Sequence, residues 1–447
     1  MDIREAVRTQ PMRASQILIV AICILITMID GYEIIVMPFV IPTLAKAWSL
    51  SPVEVGYLLS ASVLGMALGA ILVSPLADRI GRRTQILVCL GFITTGMLLS
   101  ATSGTLVELI AYRTFAGLFI GGVIASINVL VSEFSSDKRR GVVMGLYGIG
   151  LPLGSALAGL IVTPLLASYG WRAPFIFGGV LTLLMLVLVF FTLPESVEYL
   201  IDKRPRRALE KYNAIAARLG FAPSRELPAA SMQTVRNVAL RSIFGGGMLK
   251  RTLCLWIGYA GLTAAFYFAN TWTTKIIADT SGNPALGVRA GTLIMVGGVA
   301  AALVFAALSL RIRPVLVTAG VLLGGAVAFA LYATQIHNLS MALPLAVLVG
   351  LFVNGGIVAF YAISPAVYPA VARGTGVGLM IGFGRSIAVI VPIWTGYMLA
   401  HGWTPLHLYQ FFGGVLAVGG VAIVVLDRSY AVDRAGDTGR GRVVVLD

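Results

Sequence analysis

The chain has 447 residues, of which 58% are hydrophobic and only 12% are charged, and its mean hydropathy is +0.92. Soluble domains carry about 25% charged residues, so this composition excludes an ordinary soluble protein, a disordered chain and a disulfide scaffold. A net charge of +14 would indicate nucleic-acid binding in a soluble protein, but in so apolar a chain its meaning depends on where the basic residues lie.

Apolar runs long enough to cross a bilayer, about 20 residues each, recur along the whole chain. The first follows a basic flank, as in a secretory signal, but it is too long and no small-residue cleavage site follows it, so we interpret it as a retained helix. The sequence therefore predicts an all-α membrane protein with twelve transmembrane helices, at 16–41, 54–75, 85–103, 106–132, 142–167, 173–193, 252–276, 287–309, 314–334, 341–366, 374–399 and 406–426.

The basic residues are distributed unequally between the loops on the two sides of these spans. If the N-terminus is cytoplasmic, 27 of the 33 Lys and Arg residues fall on the cytoplasmic side. The positive-inside rule thus predicts that both termini are cytoplasmic. The positive charge is then explained by topology, and nucleic-acid binding becomes unnecessary.

A long polar segment divides the twelve spans into six and six. We expect a cytoplasmic N-terminal segment, an N-terminal six-helix bundle, a cytoplasmic central loop, a C-terminal six-helix bundle and a cytoplasmic tail, at 1–15, 16–193, 194–251, 252–426 and 427–447. The fifth span of each half opens alike, with Arg140-Gly141-x-x-x-Gly145-Leu146 and Arg373-Gly374-x-x-x-Gly378-Leu379. Parallel six-helix repeats are typical of one large class of secondary transporters.

The residues that could form a cofactor or catalytic centre are few. Cys23, Cys89 and Cys254 are far apart and lack the spacing of metal ligands, so we interpret them as small buried hydrophobes. His337 and His401 fall in short outer loops, and no catalytic triad is visible. We therefore expect neither an enzyme nor a cofactor. One chain holds a complete pathway, so we expect a monomer.

Two carboxylates lie deep in the first span, where ionisable groups usually serve a function. Asp30 and Glu33 are three residues apart, which places them on one helical face. Because nearby carboxylates repel and burial penalises ionisation, one of them should hold a proton more tightly than a free acid. We expect them to couple transport to protons; the alternative is a pair of ion-pair partners that only fix helix packing.

Two arginines lie inside spans, Arg113 in the fourth and Arg385 in the eleventh. Arginine keeps its charge and binds carboxylates bidentately. We expect Arg385 to receive an anionic substrate and Arg113 to pair with Asp30 or Glu33. The alternative is two structural salt bridges.

The loop after the second span, Leu76-Ala77-Asp78-Arg79-Ile80-Gly81-Arg82-Arg83, has an acid followed by clustered arginines, with a glycine for a tight turn. This pattern is typical of a cytoplasmic gate that breaks and re-forms charge contacts. Glu195, in the Pro-Glu-Ser stretch after the sixth span, is expected to meet these arginines. We assign gating roles to Asp78, Arg79, Gly81, Arg82, Arg83, Glu133, Arg140 and Glu195.

Aromatic and amide side chains supply further candidates for the substrate cavity, although aromatic residues in membrane helices more often serve packing. We expect Tyr32, Trp272, Asn354 and Tyr361 to contact substrate. Other residues at plausible positions are Tyr147, Tyr267, Asn270 and Trp394.

The gate loop resembles the signature of the major facilitator superfamily, except that Ser74 replaces its leading glycine. More narrowly, Asp30-Gly31-Tyr32-Glu33 is similar to the Asp-Gly-x-Asp motif in the first helix of the aromatic acid:proton symporters, with Glu33 in place of the usual second Asp, which keeps the charge. The resemblance covers roughly residues 10–426. Other matching stretches are Arg113-x-x-x-Gly117-x-x-x-Gly121-Gly122, Ser132-Glu133-Phe134, Gly170-Trp171-Arg172, Val353-Asn354-Gly355-Gly356, Val367-Tyr368-Pro369 and Gly382-x-Gly384-Arg385.

This resemblance implies a proton-driven importer of aromatic carboxylates, such as hydroxybenzoates or protocatechuate, in a bacterial inner membrane. It implies that Asp30 and Glu33 are the acids needed for transport and that Arg113 and Arg385 are the family's membrane-embedded arginines. Ser386 follows Arg385 where the family often has a small apolar residue or glycine, a departure that removes no ionisable group. The alternatives are a sugar, polyol or other organic-acid symporter, or a drug or metabolite exporter of the same superfamily.

Overall fold

The computed structural model of the protein describes residues 2–229, 241–245, 248–309, 311–369 and 372–437, and these stretches are helical with short connections. The first group of α-helices runs as α1 Ile3–Thr9, α2 Ala14–Trp48, α3 Pro52–Leu72, α4 Ala77–Ile80, α5 Arg82–Thr102, α6 Leu106–Glu133, α7 Arg140–Tyr169 and α8 Ala173–Thr192. A 3₁₀ helix, Ser74–Leu76, joins α3 to α4. The remaining helices are α9 Val197–Lys203, α10 Ala208–Arg218, α11 Arg241–Phe244, α12 Met248–Ser281, α13 Pro284–Ser309, α14 Pro314–Gln335, α15 Leu339–Val367, α16 Arg373–Ala400 and α17 Pro405–Asp437.

Twelve helices in the described residues are long and apolar enough to cross a membrane, and they match the twelve predicted spans one by one. Local sequence signals explain several of their ends. Ser51 precedes Pro52 and accepts a hydrogen bond from the backbone N–H of Glu54, whose side chain accepts one from the backbone N–H of Ser51 in return. This capping box starts α3 at Pro52, two residues before the predicted start of the second span. The all-α membrane fold is confirmed.

The chain divides into two compact units, Met1–Thr234 and Val235–Asp447. In the first unit α3 packs on α6, α2 on α7, and α5 on both α6 and α8. In the second unit α13 packs on α15, α12 on α16, and α14 on both α15 and α17. Counted along each group of six spans, these are the same pairs: second with fourth, first with fifth, third with fourth and sixth. The glycine-rich repeat fits this pattern, because Arg140 and Arg373 are the first residues of α7 and α16.

Large apolar side chains cover the outer surface of the spans. Ile71 is 70% exposed, Leu160 69% and Phe191 76%. Exposing such surface to water is unfavourable by about 25 cal/mol per Å². These side chains therefore suit contact with lipid hydrocarbon, as expected for a multi-pass membrane protein.

The segments outside the spans contain helices that the sequence did not predict. The predicted N-terminal segment contains α1, which buries Ile3, and the predicted central loop contains α9, α10 and α11. The backbone N–H of Ile3 donates to the hydroxyl of Tyr212 in α10 at 2.9 Å. The N-terminal segment is thus attached to the central loop. In the predicted tail, α17 continues to Asp437, and residues 438–447 lie outside the described residues.

Candidate functional site

Asp30 and Glu33 are the two acids of the first unit that lie deep in a span. They are 1% and 0% exposed on one face of α2. Glu33 Oε1 accepts a hydrogen bond from the Thr182 hydroxyl in α8, whereas Glu33 Oε2 and Asp30 Oδ2 have no hydrogen-bond partner among the residues described above. Within the described part of the chain, neither carboxyl group lies within 4.0 Å of a lysine or arginine nitrogen. An unpaired buried carboxylate is unfavourable in its charged form, so this site suits groups that exchange protons.

Arg113 is completely buried in α6, and its partners are all neutral. Nε donates to Ser62 Oγ at 3.1 Å, Nη1 to Met97 Sδ at 2.9 Å and Nη2 to the backbone carbonyl oxygen of Glu33 at 2.7 Å. The guanidinium also lies 5.6 Å from the centre of the Phe175 ring. Among the described residues Arg113 forms no ion pair within 4.0 Å with Asp30 or Glu33, because its hydrogen bonds reach a backbone oxygen and two neutral side chains, but Glu33 is its electrostatic neighbour.

Tyr32 lies between the two acids in sequence but is used for packing. It is 2% exposed, and its hydroxyl donates to the carbonyl oxygen of Pro174 at 2.8 Å. Its ring is tilted against that of Phe177 at 5.7 Å. This hydrogen bond ties α2 to α8 and occupies the hydroxyl, while Tyr32 also lines an apolar cavity beside Met28 and Gly154, so its expected contact with substrate stays a prediction.

Arg385 in the second unit differs from Arg113 because it has no such partners. Its side chain is half-buried in the membrane-spanning part of α16 and makes no hydrogen bond or ion pair with another described residue. Its electrostatic neighbours are Tyr259 and Tyr267 of α12, and Tyr361 of α15 is a neighbour of both. A permanent positive charge near tyrosine hydroxyls that no described residue neutralises is an arrangement suited to an anion.

The other two predicted substrate contacts of the second unit have structural roles. Trp272 is completely buried in α12, and its indole N–H donates to the carbonyl oxygen of Pro392 in α16 at 3.1 Å. Its assignment to the substrate site is therefore corrected, because it joins two helices and presents no surface. Asn354 is half-buried, donates to the carbonyl oxygen of Gly350 at 2.9 Å and packs against Gly298 of α13.

A charge cluster forms where α5, α6 and α9 meet. Arg82 Nη1 forms an ion pair with Glu133 Oε1, donates to Ser196 Oγ at 2.7 Å and lies 3.8 Å from Glu198 Oε2. Ser196 in turn donates to Glu133 Oε1 at 2.8 Å. We call these four residues the Arg82 cluster. The sequence predicted the participation of Arg82 and Glu133 but not that of Ser196 and Glu198.

Glu195 meets the gate loop through backbone groups. Its Oε1 accepts hydrogen bonds at 2.9 Å from the backbone N–H groups of Arg83 and Ser196. Gly81 lies directly beside it with φ +95°, and a Cβ at Gly81 would clash with Glu195 Oε2. The turn therefore requires glycine, both for its backbone angle and for space.

The remaining residues of the predicted gate lie at the periphery of this region. Asp78 and Arg79 are exposed, and the backbone oxygen of Arg79 accepts a hydrogen bond from the Tyr199 hydroxyl at 3.1 Å. Partial burial, together with the nearby Glu195, raises the pKa of Tyr199, so this hydroxyl remains a donor. Arg140, the first residue of α7, forms an ion pair at 3.2 Å with Asp137 in the loop that precedes this helix.

Several residues of these sites were missed in the sequence. Thr182 and Ser62 are single polar residues in apolar spans, a weak signal that many membrane helices share. Tyr259 precedes Thr263 and Tyr267 at helical spacing, a pattern that could have directed attention to this face of α12. No group of three His, Cys, Asp or Glu residues suited to a metal ion occurs among the residues that the structure describes.

Comparison with known proteins agrees with this architecture. A model of the Major Facilitator Superfamily matches residues 20–343. The chain is 29% identical to a 4-hydroxybenzoate transporter of Pseudomonas aeruginosa over 408 residues, covering 90% of each chain, and 28% identical to a gallate transporter of Pseudomonas putida over 438 residues, covering 97% of this chain and 96% of the relative.

The solved structures include one of the same fold. It is a bacterial homologue of the human lysosomal transporter Spinster in an inward-facing, unoccupied conformation, with a TM-score of 0.68 and 15% sequence identity, covering 97% of this chain and 100% of that one. The family match extends over most of the chain and agrees with the twelve spans and their repeated pairing. The protein belongs to the major facilitator superfamily and is a membrane transport protein, not an enzyme.

Proposed function

We propose that the protein imports small aromatic carboxylates of the hydroxybenzoate type together with protons, by alternating access. The observation that carries the proposal is Arg385, a guanidinium within a membrane span that pairs with no other described residue and has Tyr259 and Tyr267 as electrostatic neighbours. Leaving such a charge without a counterion is unfavourable unless a ligand supplies one. A carboxylate fits the guanidinium, and an aromatic ring fits the tyrosines.

The relatives support the same class of substrate. They include proteins named as transporters of 4-hydroxybenzoate, gallate and benzoate, at 26–29% identity. These substrates share a carboxylate on an aromatic ring. A sugar or polyol carries no negative charge to neutralise Arg385. We therefore propose an aromatic acid as the substrate and keep a sugar or polyol as the alternative.

Proton coupling is assigned to Asp30 and Glu33. Each has one carboxyl oxygen that no described residue bonds, and the hydrogen bonds of Arg113 go to neutral acceptors. Either acid can therefore gain or lose a proton without breaking an ion pair. Protonation from outside and release inside would then drive import.

We assign gating to the Arg82 cluster together with Asp78, Arg79, Gly81, Arg83, Arg140 and Glu195. We further propose that the protein is a monomer of a bacterial inner membrane with both termini in the cytoplasm, on the basis of its basic loops.

Transport in proteoliposomes tests the proposed function. Labelled 4-hydroxybenzoate, benzoate, a hexose and a dicarboxylate are offered with and without an imposed pH gradient. We expect uptake of the aromatic acids, enhanced when the lumen is alkaline. Uptake of only the hexose would favour the sugar-transporter alternative, and an effect of the gradient in the opposite direction would favour an exporter.

A further inference from the structure

One face of α12 carries a row of polar side chains beside the proposed carboxylate site. Tyr259, Thr263 and Tyr267 are spaced four residues apart, and Asn270 continues the row. Residues at this spacing share a helical face. Most of the surrounding positions in α12 are apolar, so the row is a distinct polar strip inside a membrane span.

This strip comes into close contact with α16 at the residue before Arg385. A Cβ at Gly384 would overlap Tyr259 Cε1 and would lie 3.3 Å from Thr263 Oγ1. The missing side chain of Gly384 therefore allows the Tyr259 ring to rest on the α16 backbone. On another side, Phe360 meets the Tyr259 ring edge-on at 5.4 Å. These contacts hold Tyr259 and Thr263 next to Arg385.

Two polar atoms of the strip have no hydrogen-bond partner. Thr263 is 3% exposed and Asn270 is 8% exposed, yet neither Thr263 Oγ1 nor Asn270 Oδ1 makes a hydrogen bond with a described residue. A buried threonine in a helix usually donates to the carbonyl oxygen four residues earlier, as Thr271 does to Tyr267. Thr263 departs from this pattern beside the proposed carboxylate site, and buried polar groups without partners are unfavourable.

We propose that Thr263 and Tyr259 bind a ring hydroxyl of the substrate whose carboxylate Arg385 receives, and that they select hydroxylated aromatic acids over unsubstituted benzoate. This inference rests on the proposed function. The ring hydroxyl can form a hydrogen bond with Thr263 Oγ1, which has no partner among the described residues, and with the Tyr259 hydroxyl, which already interacts with Tyr361. Benzoate fills the same space but leaves the Thr263 hydroxyl unpaired.

Equilibrium binding to the purified full-length protein tests this selectivity. Dissociation constants are measured for benzoate, 3-hydroxybenzoate and 4-hydroxybenzoate. We expect at least one hydroxybenzoate to bind about fivefold or more tightly than benzoate, the effect of one hydrogen bond. Thr263→Val keeps the shape of the side chain and removes its hydroxyl. It should bring the ratio of the two dissociation constants close to one by weakening the binding of hydroxybenzoate.

Matched variants separate this role from a structural one. Thr271→Val removes a hydroxyl from the same helix whose hydrogen bond is internal, and it should preserve the wild-type ratio. Tyr259→Phe keeps the ring that packs on Gly384 and should lower the ratio as Thr263→Val does. Tyr259→Phe also provides a second test of the selectivity if Thr263→Val fails to fold.

The outcomes distinguish this inference from the proposed function. If benzoate and hydroxybenzoate bind but the ratio survives both Thr263→Val and Tyr259→Phe, or the wild type shows no preference, the inference is overturned while the proposed function stands. If the wild type binds none of the three acids, the proposed function itself fails.

Discussion

Arg113 Nη2 donates a hydrogen bond to the backbone carbonyl oxygen of Glu33 at 2.7 Å, while the carboxyl group of the same residue is bound by Thr182 in α8. The arginine is thus fixed to the helix that carries the acids without forming an ion pair with them. Because its three acceptors are neutral, its hydrogen bonds do not depend on the protonation of Glu33. Within this site, Arg113 therefore has a structural role, and proton exchange is assigned to the acid Glu33.

The two intramembrane arginines should respond differently to the same substitution. Arg113→Met leaves the Glu33 carbonyl and the Ser62 hydroxyl without their donor, at about 1–3 kcal/mol for each unsatisfied buried group. We expect the melting temperature of the purified protein to fall by several degrees. Thermal unfolding in detergent measures this, and an unchanged melting temperature would contradict the structural role of Arg113.

Arg385→Met should instead leave stability almost unchanged, because Arg385 forms no hydrogen bond or ion pair with any described residue. It should weaken binding of 4-hydroxybenzoate about 10- to 150-fold, corresponding to a charged hydrogen bond of about 1.5–3 kcal/mol. Binding to the same purified protein measures this. Wild-type affinity in the variant would show that Arg385 is not the anion site.

Glu33→Gln and Asp30→Asn should uncouple transport from the pH gradient. Both substitutions nearly preserve shape, and the amide oxygen introduced by Glu33→Gln can still accept the hydrogen bond of Thr182. In the variant that removes the coupling acid, the protein should still exchange labelled for unlabelled substrate, because exchange moves no net protons. The same variant should no longer accumulate substrate against its concentration gradient. If both variants accumulate substrate like the wild type, neither acid couples protons.

Gly81→Ala should destabilise the gate loop. The backbone at φ +95° and ψ 151° is strained for any other residue, by about 1–3 kcal/mol, and the added methyl group would meet Glu195. Gly91→Ala in α5 is the matched control, because nothing lies within 4 Å of its Cβ position and alanine favours a helix interior by about 0.5–1 kcal/mol. We expect a lower melting temperature for the first variant and an equal or higher one for the second; the reverse order would contradict this explanation of the turn.

The spans could be predicted from the sequence because crossing a bilayer imposes a length and a hydrophobicity that can be read along one dimension. Span 4, predicted at 106–132, is α6 Leu106–Glu133, and span 9, predicted at 314–334, is α14 Pro314–Gln335. The helices α9 and α10 were missed because their short polar sequences carry no such signal. They form against α1 and the ends of the spans, which only the folded chain brings together.

The candidate residues could be predicted by type, but their partners could not. Buried ionisable groups are conspicuous in an apolar span, so Asp30, Glu33, Arg113 and Arg385 were found. Whether an arginine meets a carboxylate or a backbone carbonyl depends on packing between helices that are distant in sequence, as the bond from Arg113 to Ser62 shows. Trp272 was predicted to contact substrate because the sequence does not show whether an indole N–H faces a cavity or donates to a backbone carbonyl.

The central claim is that an aromatic carboxylate and a proton cross the membrane together, and proton movement driven by the substrate tests it most directly. Proteoliposomes containing a trapped pH-sensitive dye receive external 4-hydroxybenzoate with no initial pH gradient, and empty liposomes provide the correction for passive entry of the acid. The account predicts acidification of the lumen beyond that of empty liposomes, abolished in the double variant Asp30→Asn, Glu33→Gln. Entry of labelled 4-hydroxybenzoate through the protein without any such acidification would contradict it.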